Sequence, residues 1–210
     1  VDAGAWITER MVTSLLVLHQ GAIVFEDYYL GTDAEDTRIS WSIAKSYLSA
    51  MFGIAVESGL ISSLDDPVTS YVPELENGAY DGATIRDVLQ MSSGVRFDED
   101  YLDFNSDINK KGRTLALGGE MDAFAASLTA RDRRPGQAWQ YVSIDTHVLA
   151  MLLRSVTRRS LPDLLSAQNV MPLGLPADGP YTTDGQVLAF APAGPYLLTR
   201  ASARSPSVAA

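Results

Sequence analysis

The sequence predicts an α+β chain, and three observations carry that reading. Two apolar runs, Leu15 to Leu18 and Ala22 to Phe25, flank a tight turn at Gln20-Gly21, as in an antiparallel hairpin. Apolar residues recur at three-to-four spacing from Leu48 to Val56, and again from Val148 to Val156, as they do on helices. Between these segments, clusters of Gly, Pro, Asp and Ser mark turns.

Taken in order, residues 12–28 read as two strands joined by a tight turn, with His19 at the turn edge as an exposed hairpin histidine and Tyr28 and Tyr29 packing at the end of the second strand. A polar connection at 33–37 leads to a helix that Ser42 opens as N-cap. Leu48, Met51, Phe52, Ala55 and Val56 form its apolar face, and Gly59 supplies the C-terminal cap. Asp65 or Asp66 then caps a short helix with Pro67 in its first turn, which stops before Pro73. Thr84 caps another through Ile85, Val88 and Leu89, ending near Ser92-Ser93-Gly94.

The run Phe97-Asp-Glu-Asp-Tyr-Leu-Asp is dense in carboxylates. With no calcium-loop spacing and no histidine partner it reads as a solvated acidic loop that could wall a cleft. Residues 118–129 form an amphipathic helix bearing Met121, Phe124 and Leu128, and 131–136 a charged turn. From Ser143 a strong helix runs through Val148, Leu149, Leu152 and Val156, with His147 as an ordinary helical histidine; Ser160-Leu-Pro-Asp begins one more in a capping-box pattern. Beyond Asp184 no acidic residue remains and Ala, Pro, Ser and Leu dominate. Residues 1–184 are therefore read as the folded domain and 185–210 as a tail ill-suited to a helix or central strand, disordered or foreign to the domain.

Composition excludes several functions. The 210 residues carry 26 acidic against 16 Lys and Arg side chains, for a net charge of −10, which disfavours nucleic acid and anionic membrane surfaces as partners and favours a small neutral or cationic substrate. Cysteine is absent, removing disulfides, thiolate nucleophiles and zinc-thiolate sites. No apolar run approaches the roughly 18 residues of a membrane span. The chain begins on Val1 with no leader pattern after it, so a soluble protein is expected, cytoplasmic by preference, with its true N-terminus missing.

The chemistry begins at Ser42-Ile-Ala-Lys45. A serine and a lysine three residues apart on one helical face can bring an amine to a hydroxyl, a candidate nucleophile with its own base. The first turn of a helix also offers unpaired backbone N–H groups to the negative charge that develops in acyl transfer. About one S-x-x-K is expected by chance in a chain of this length; lysine, however, occurs only at 45, 110 and 111. A second motif follows at Tyr141-Val-Ser143, where two hydroxyls leave one turn just before a helix. No G-x-S-x-G occurs, which argues against an α/β-hydrolase.

These motifs, together with Gly59-Leu-Ile-Ser-Ser-Leu-Asp-Asp-Pro-Val, Thr84-Ile-Arg-Asp-Val-Leu-Gln-Met-Ser-Ser-Gly, Pro135-Gly and Pro172-Leu-Gly174-Leu, resemble the serine β-lactamase-related hydrolases. That group includes class C β-lactamases, D-alanyl-D-alanine carboxypeptidases, β-lactamase-fold esterases and 6-aminohexanoate-dimer hydrolase, and the likeness spans roughly residues 12–190. It implies a β-lactamase/transpeptidase-like fold, with an antiparallel sheet, flanking helices and a mostly helical region, and a hydrolase of esters or amides that needs neither metal nor cofactor. Ser42 resembles the acylated nucleophile and Lys45 the group that takes its proton. Tyr141 resembles the phenol that relays that proton, and Ser143 the polar side chain that holds Lys45 and the substrate. A lysine amine, with a reference pKa of about 10.4, needs burial and a hydrogen-bonding neighbour to act as a base. The group's third motif, a Lys or His followed by a small residue and Gly on an edge strand, has no counterpart after residue 174. An incomplete sheet is therefore expected, with an edge open to self-association, and the rival reading is a truncated, catalytically silent relative.

Overall fold

The computed structural model describes residues 2–34, 36 and 41–165, so the tail and the Pro172-Leu-Gly174 match lie outside the described residues. These fall into two compact units, one reaching Ala44 and the other comprising Lys45 to Leu165.

The first unit opens on α1 (Ala3–Glu9), a short helix the sequence pattern does not announce, capped by the Asp2 carboxylate accepting the Gly4 N–H at 2.9 Å. The expected hairpin follows as β1 (Ser14–His19) and β2 (Ala22–Tyr28), paired antiparallel from Ser14–Tyr28 to His19–Ala22, with a register shift between Val17 and Leu18. Gln20 and Gly21 both take positive φ, 51° and 81°, the left-handed pair whose twist suits a two-residue hairpin turn. His19 is exposed at the end of β1, as expected.

Ser42 does not cap an α-helix. It is the middle residue of a 3-10 turn, Trp41–Ile43, and α2 (Ala44–Glu57) starts after it. Trp41 stands at φ 45°, a strained conformation for an aromatic residue, immediately before the serine.

In the second unit α2 buries Leu48, Met51, Phe52 and Ala55 of the stripe read from the sequence and leaves Val56, at its end, exposed. The short helix expected after Asp65 or Asp66 is instead two 3-10 turns, Val68–Ser70 and Pro73–Leu75. Neither aspartate caps them: Asp65 pairs with Arg86 at 2.8 Å, while Asp66 accepts from Tyr71 Oη at 2.7 Å and from the Ser63 N–H at 3.1 Å. Thr84 does cap α3 (Ile85–Leu89), through a capping box with Asp87. A polar helix, α4 (Asp107–Ala116), follows the acidic loop, capped by Ser106. α5 (Met121–Ala126) is shorter than residues 118–129 promised. α6 (Ser143–Thr157) is the axis of the unit, burying Ile144, Val148, Leu152 and Leu153 completely or nearly so, and α3, α5 and α7 (Leu161–Leu165) pack on it.

A clasp of backbone hydrogen bonds positions the start of α6. Arg96 N–H donates to the Ala130 carbonyl at 3.0 Å and Asp132 N–H to Gly94 at 3.0 Å; further along, Gly136 donates to Ser92 and Gln140 to Met91, both at 2.8 Å. Residues 91–96 thus run antiparallel to 130–140 and deliver Tyr141 to a fixed place. Gly94 makes the approach possible: its φ is 77°, and a Cβ there would stand 2.4 Å from the Arg133 carbonyl oxygen. Gly94→Ala is expected to cost about 2–3 kcal/mol of stability, read by urea denaturation; a change within about 0.5 kcal/mol, the range of a neutral surface substitution, would show that the clasp yields without cost.

Candidate active site

Ser42 stands in the 3-10 turn of the first unit, three residues before Lys45 along the chain. In the second unit, Lys45 on the first turn of α2 meets Tyr141, ninety-six positions later: the ammonium lies over the phenol ring, 5.2 Å from its centroid, within cation–π range. Ser143 begins α6 two residues on.

The Ser143 hydroxyl is committed to a residue that sequence reasoning did not select. Glu99, in the acidic loop, accepts the Ser143 backbone N–H on one carboxylate oxygen and the Ser143 Oγ–H on the other at 3.1 Å, and the second oxygen also accepts from Tyr101 Oη at 3.2 Å. A carboxylate at an unsatisfied helix N-terminus is a favourable arrangement, since the backbone donor and the helix dipole both favour negative charge. The acidic run is therefore more than a solvated loop: one of its members holds the Tyr141-Val-Ser143 turn from the far side. Its neighbours shape the loop itself, Asn109 Nδ2 donating to the carbonyls of Asp103 at 2.8 Å and Tyr101 at 3.1 Å, and Ile108 N–H to Asp98 at 3.0 Å. The loop and α4 are thus one piece, and α4 carries Lys111 into the neighbourhood of Lys45, Glu99 and Tyr141. Burial and the Lys45 ammonium push the Lys111 pKa below its ordinary value, against the opposing pull of Glu99 and Tyr141.

A second support lies under the helix. Asp145, fully buried, accepts from Tyr80 Oη at 2.7 Å and from Ser93 Oγ at 2.9 Å, both on Oδ1, whereas Oδ2 has no hydrogen-bond partner among the described residues. Burial pushes its carboxyl up to about 7, against the two hydrogen bonds. Ser93 belongs to the clasp, so Asp145 ties the first turn of α6 to the segment that places Tyr141.

His147 is not the unattached helical histidine expected. It is buried, and its Nε2 lies 2.8 Å from Asp122 Oδ1, an oxygen that Arg154 Nη2 also reaches at 2.7 Å. The His147 hydrogen bond, with the Arg154 guanidinium beside it, holds the Asp122 carboxyl down to about 2. The group joins α5 to α6 and borders a cavity of about 740 Å³ lined by Leu60, Tyr71, Glu74, Arg154 and Arg158, none of which belongs to the predicted site. Among the described residues no group of three or more His, Asp or Glu side chains is arranged to hold a metal ion, and no helix is long and apolar enough to cross a membrane.

Lys111 and Glu99 were missed for different reasons. The scarcity of lysine singled out Lys111 as much as Lys45, but nothing local marks it. Glu99 is one of several carboxylates in its loop, and only the long-range approach to Ser143 distinguishes it.

Comparison with known proteins places these residues in a family frame. Residues 5–193 match the family model described as Beta-lactamase. The 6-aminohexanoate-dimer hydrolase of Paenarthrobacter ureafaciens is 29% identical over 203 residues, which cover 94% of this chain and 52% of that protein. Among solved structures, a penicillin binding protein from Bacillus halodurans superposes with a TM-score of 0.66 at 15% identity, covering 85% of this chain and 56% of that one. A class C beta lactamase gives 0.62 at 20% identity, covering 83% and 50%. The mixed α+β arrangement is thus that of the β-lactamase/transpeptidase-like fold, and the chain spans about half the length of the curated relatives it matches.

Proposed function

The chain belongs to the Beta-lactamase family, and on that premise we propose that the protein hydrolyses a carboxylic ester or amide through an acyl intermediate on Ser42. The observation that carries this reading is the meeting of Lys45 with Tyr141, ninety-six positions apart in the chain, with Ser42 three residues from the lysine in sequence.

In the proposed reaction the neutral Lys45 amine accepts the Ser42 Oγ proton as the oxygen adds to the substrate carbonyl carbon. The Ser42 backbone N–H is one donor to the resulting oxyanion. The tetrahedral adduct collapses by breaking the bond to the alkoxy or amino leaving group, which takes up a proton relayed through Tyr141 and Lys45. Water then adds to the acyl carbon, giving up its proton to the same pair, and the ester to Ser42 breaks to release a carboxylic acid and restore the hydroxyl. Ser143 and Glu99 hold the turn from which Tyr141 projects. The name of the 29% identical relative, a hydrolase of an aminohexanoate dimer, makes short amide oligomers a substrate class to assay beside simple esters and β-lactams.

Incubation of the full-length protein with a fluorophosphonate, and separately with benzylpenicillin, followed by peptide mapping, tests the assignment. A mass increase on the peptide containing Ser42 is expected from the fluorophosphonate. A folded protein that takes no adduct, or takes it on another serine, would sink the nucleophile assignment.

A further inference from the structure

We propose that the cavity at the C-terminal turns of α6, which shares no residue with the proposed catalytic set, binds a small aliphatic amino acid as its zwitterion, the ligand carboxylate on Arg158 and its ammonium on Glu74. The proposal stands independently of the acyl-Ser42 reading. The cavity measures about 740 Å³, within the range of small-molecule sites, and its lining residues all belong to the second unit. Leu60, Val72 and Met151 supply apolar lining, while Glu74, Asp122, Arg154 and Arg158 supply charge.

Not all of that charge is available. Asp122 Oδ1 is engaged by His147 Nε2 at 2.8 Å and by Arg154 Nη2 at 2.7 Å, so the aspartate and the arginine answer each other. Glu74, in the 3-10 turn Pro73–Leu75, and Arg158, at the end of α6, are exposed, and neither side chain has a hydrogen bond or an ion pair among the described residues. The backbone at Arg158 is a second observation. It takes φ 56° and ψ 29°, the left-handed conformation in which many helices end and which glycine adopts most readily. An arginine there carries a strain that glycine would not, and what it adds is a guanidinium on the cavity.

One uncommitted cation and one uncommitted anion define the ligand. A plain anion would meet Glu74 and the negative end of the α6 dipole as well as Arg158, and a plain cation would meet Arg158. A molecule with a carboxylate at one end, an ammonium at the other and methylenes between them answers both charges and covers the apolar lining. The planar guanidinium suits a carboxylate through paired N–H donors.

Isothermal titration calorimetry of the full-length protein tests this with glycine, 4-aminobutanoate and 6-aminohexanoate, and with hexanoate and hexylamine as the separate halves of the longest. At least one of the amino acids is expected to bind about ten- to a hundredfold more tightly than either half. Arg158→Gly and Glu74→Gln should each weaken that binding by a similar factor and leave the thermal melt and the rate on a chromogenic ester unchanged, since glycine suits the left-handed backbone and neither residue belongs to the catalytic set. Failure of all the amino acids to bind, or hexanoate binding as tightly as they do, would overturn the proposal. So would binding that persists in Arg158→Gly or in Glu74→Gln, which would put the amino acid elsewhere on the protein, the acyl-serine site included.

Discussion

Replacing Lys45 by alanine is expected to lower kcat/KM on a chromogenic ester by about a hundred- to ten-thousandfold, the usual contribution of a positioned general base. Two further substitutions separate proton transfer from packing, because Lys45 touches Tyr141 through the ring face. Lys45→Arg keeps a cation over the ring but offers no neutral amine near pH 7, and should be nearly as inactive as Lys45→Ala. Tyr141→Phe keeps the ring and loses only the hydroxyl, so its rate loss measures the phenol's share in relaying the proton. If Lys45→Arg and Tyr141→Phe retain most of the activity while Lys45→Ala loses stability, the contact is structural and the base lies elsewhere. Steady-state kinetics and a thermal melt of each variant decide the matter.

The other large effect concerns stability and pH. Asp145 has its carboxyl raised to about 7 from an ordinary value of 3.8. The folded state therefore holds a proton that the unfolded chain releases more readily. The stabilisation from the protonated form is fully present below about pH 4, falls steadily as pH rises, and is gone above about pH 7. About three pH units at 1.36 kcal/mol each set a ceiling of about 4 kcal/mol. Asp145→Asn, which cannot ionise, should flatten the profile between pH 4 and 7 and leave the variant more stable than the parent at pH 8. Asp122 works in the opposite direction and in a separate window. Its carboxyl is held down to about 2, so its contribution is lost only as pH falls below about 4. Urea denaturation at intervals from pH 2 to 8 gives both slopes; an unaltered protein as flat as Asp145→Asn between pH 4 and 7 would show that Asp145 is ionised in the fold.

Much of the fold was legible because it follows local rules. The hairpin announced itself through two apolar runs around Gln20-Gly21, and α2 and α6 through apolar stripes that the structure largely buries. Thr84 was a capping signal, and it caps. The failures share a cause. α4 contains Asn109, Lys110, Lys111, Gly112 and Arg113 and has no buried residue, so it lacks the apolar stripe that reveals a core helix. Asp65 and Asp66 look like caps in sequence but are engaged by Arg86 and Tyr71, which only the fold brings near. The candidate site divides the same way. Lys45 and Tyr141 could be connected in advance only through resemblance to a family, since nothing in either motif points to the other. Glu99 and Asp145 act over long sequence separations, and their roles rest on contacts with Ser143, Tyr80 and Ser93 that no local pattern encodes.

The clasp between residues 91–96 and 130–140 bears on how such a protein can change. It closes at the bridge between Val95 and Arg131, which Arg131 reinforces by donating to the Ala79 carbonyl at 2.6 Å. Everything from residue 96 to 130, including Glu99, Tyr101 and Lys111, therefore leaves and re-enters at one fixed doorway. Changes at the exposed positions of that segment leave Tyr141 anchored to Met91 through Gln140, while Glu99 and Asp122 within it stay tied to Ser143 and His147. The length and composition of the exposed loop can drift while the Tyr141 turn keeps its register.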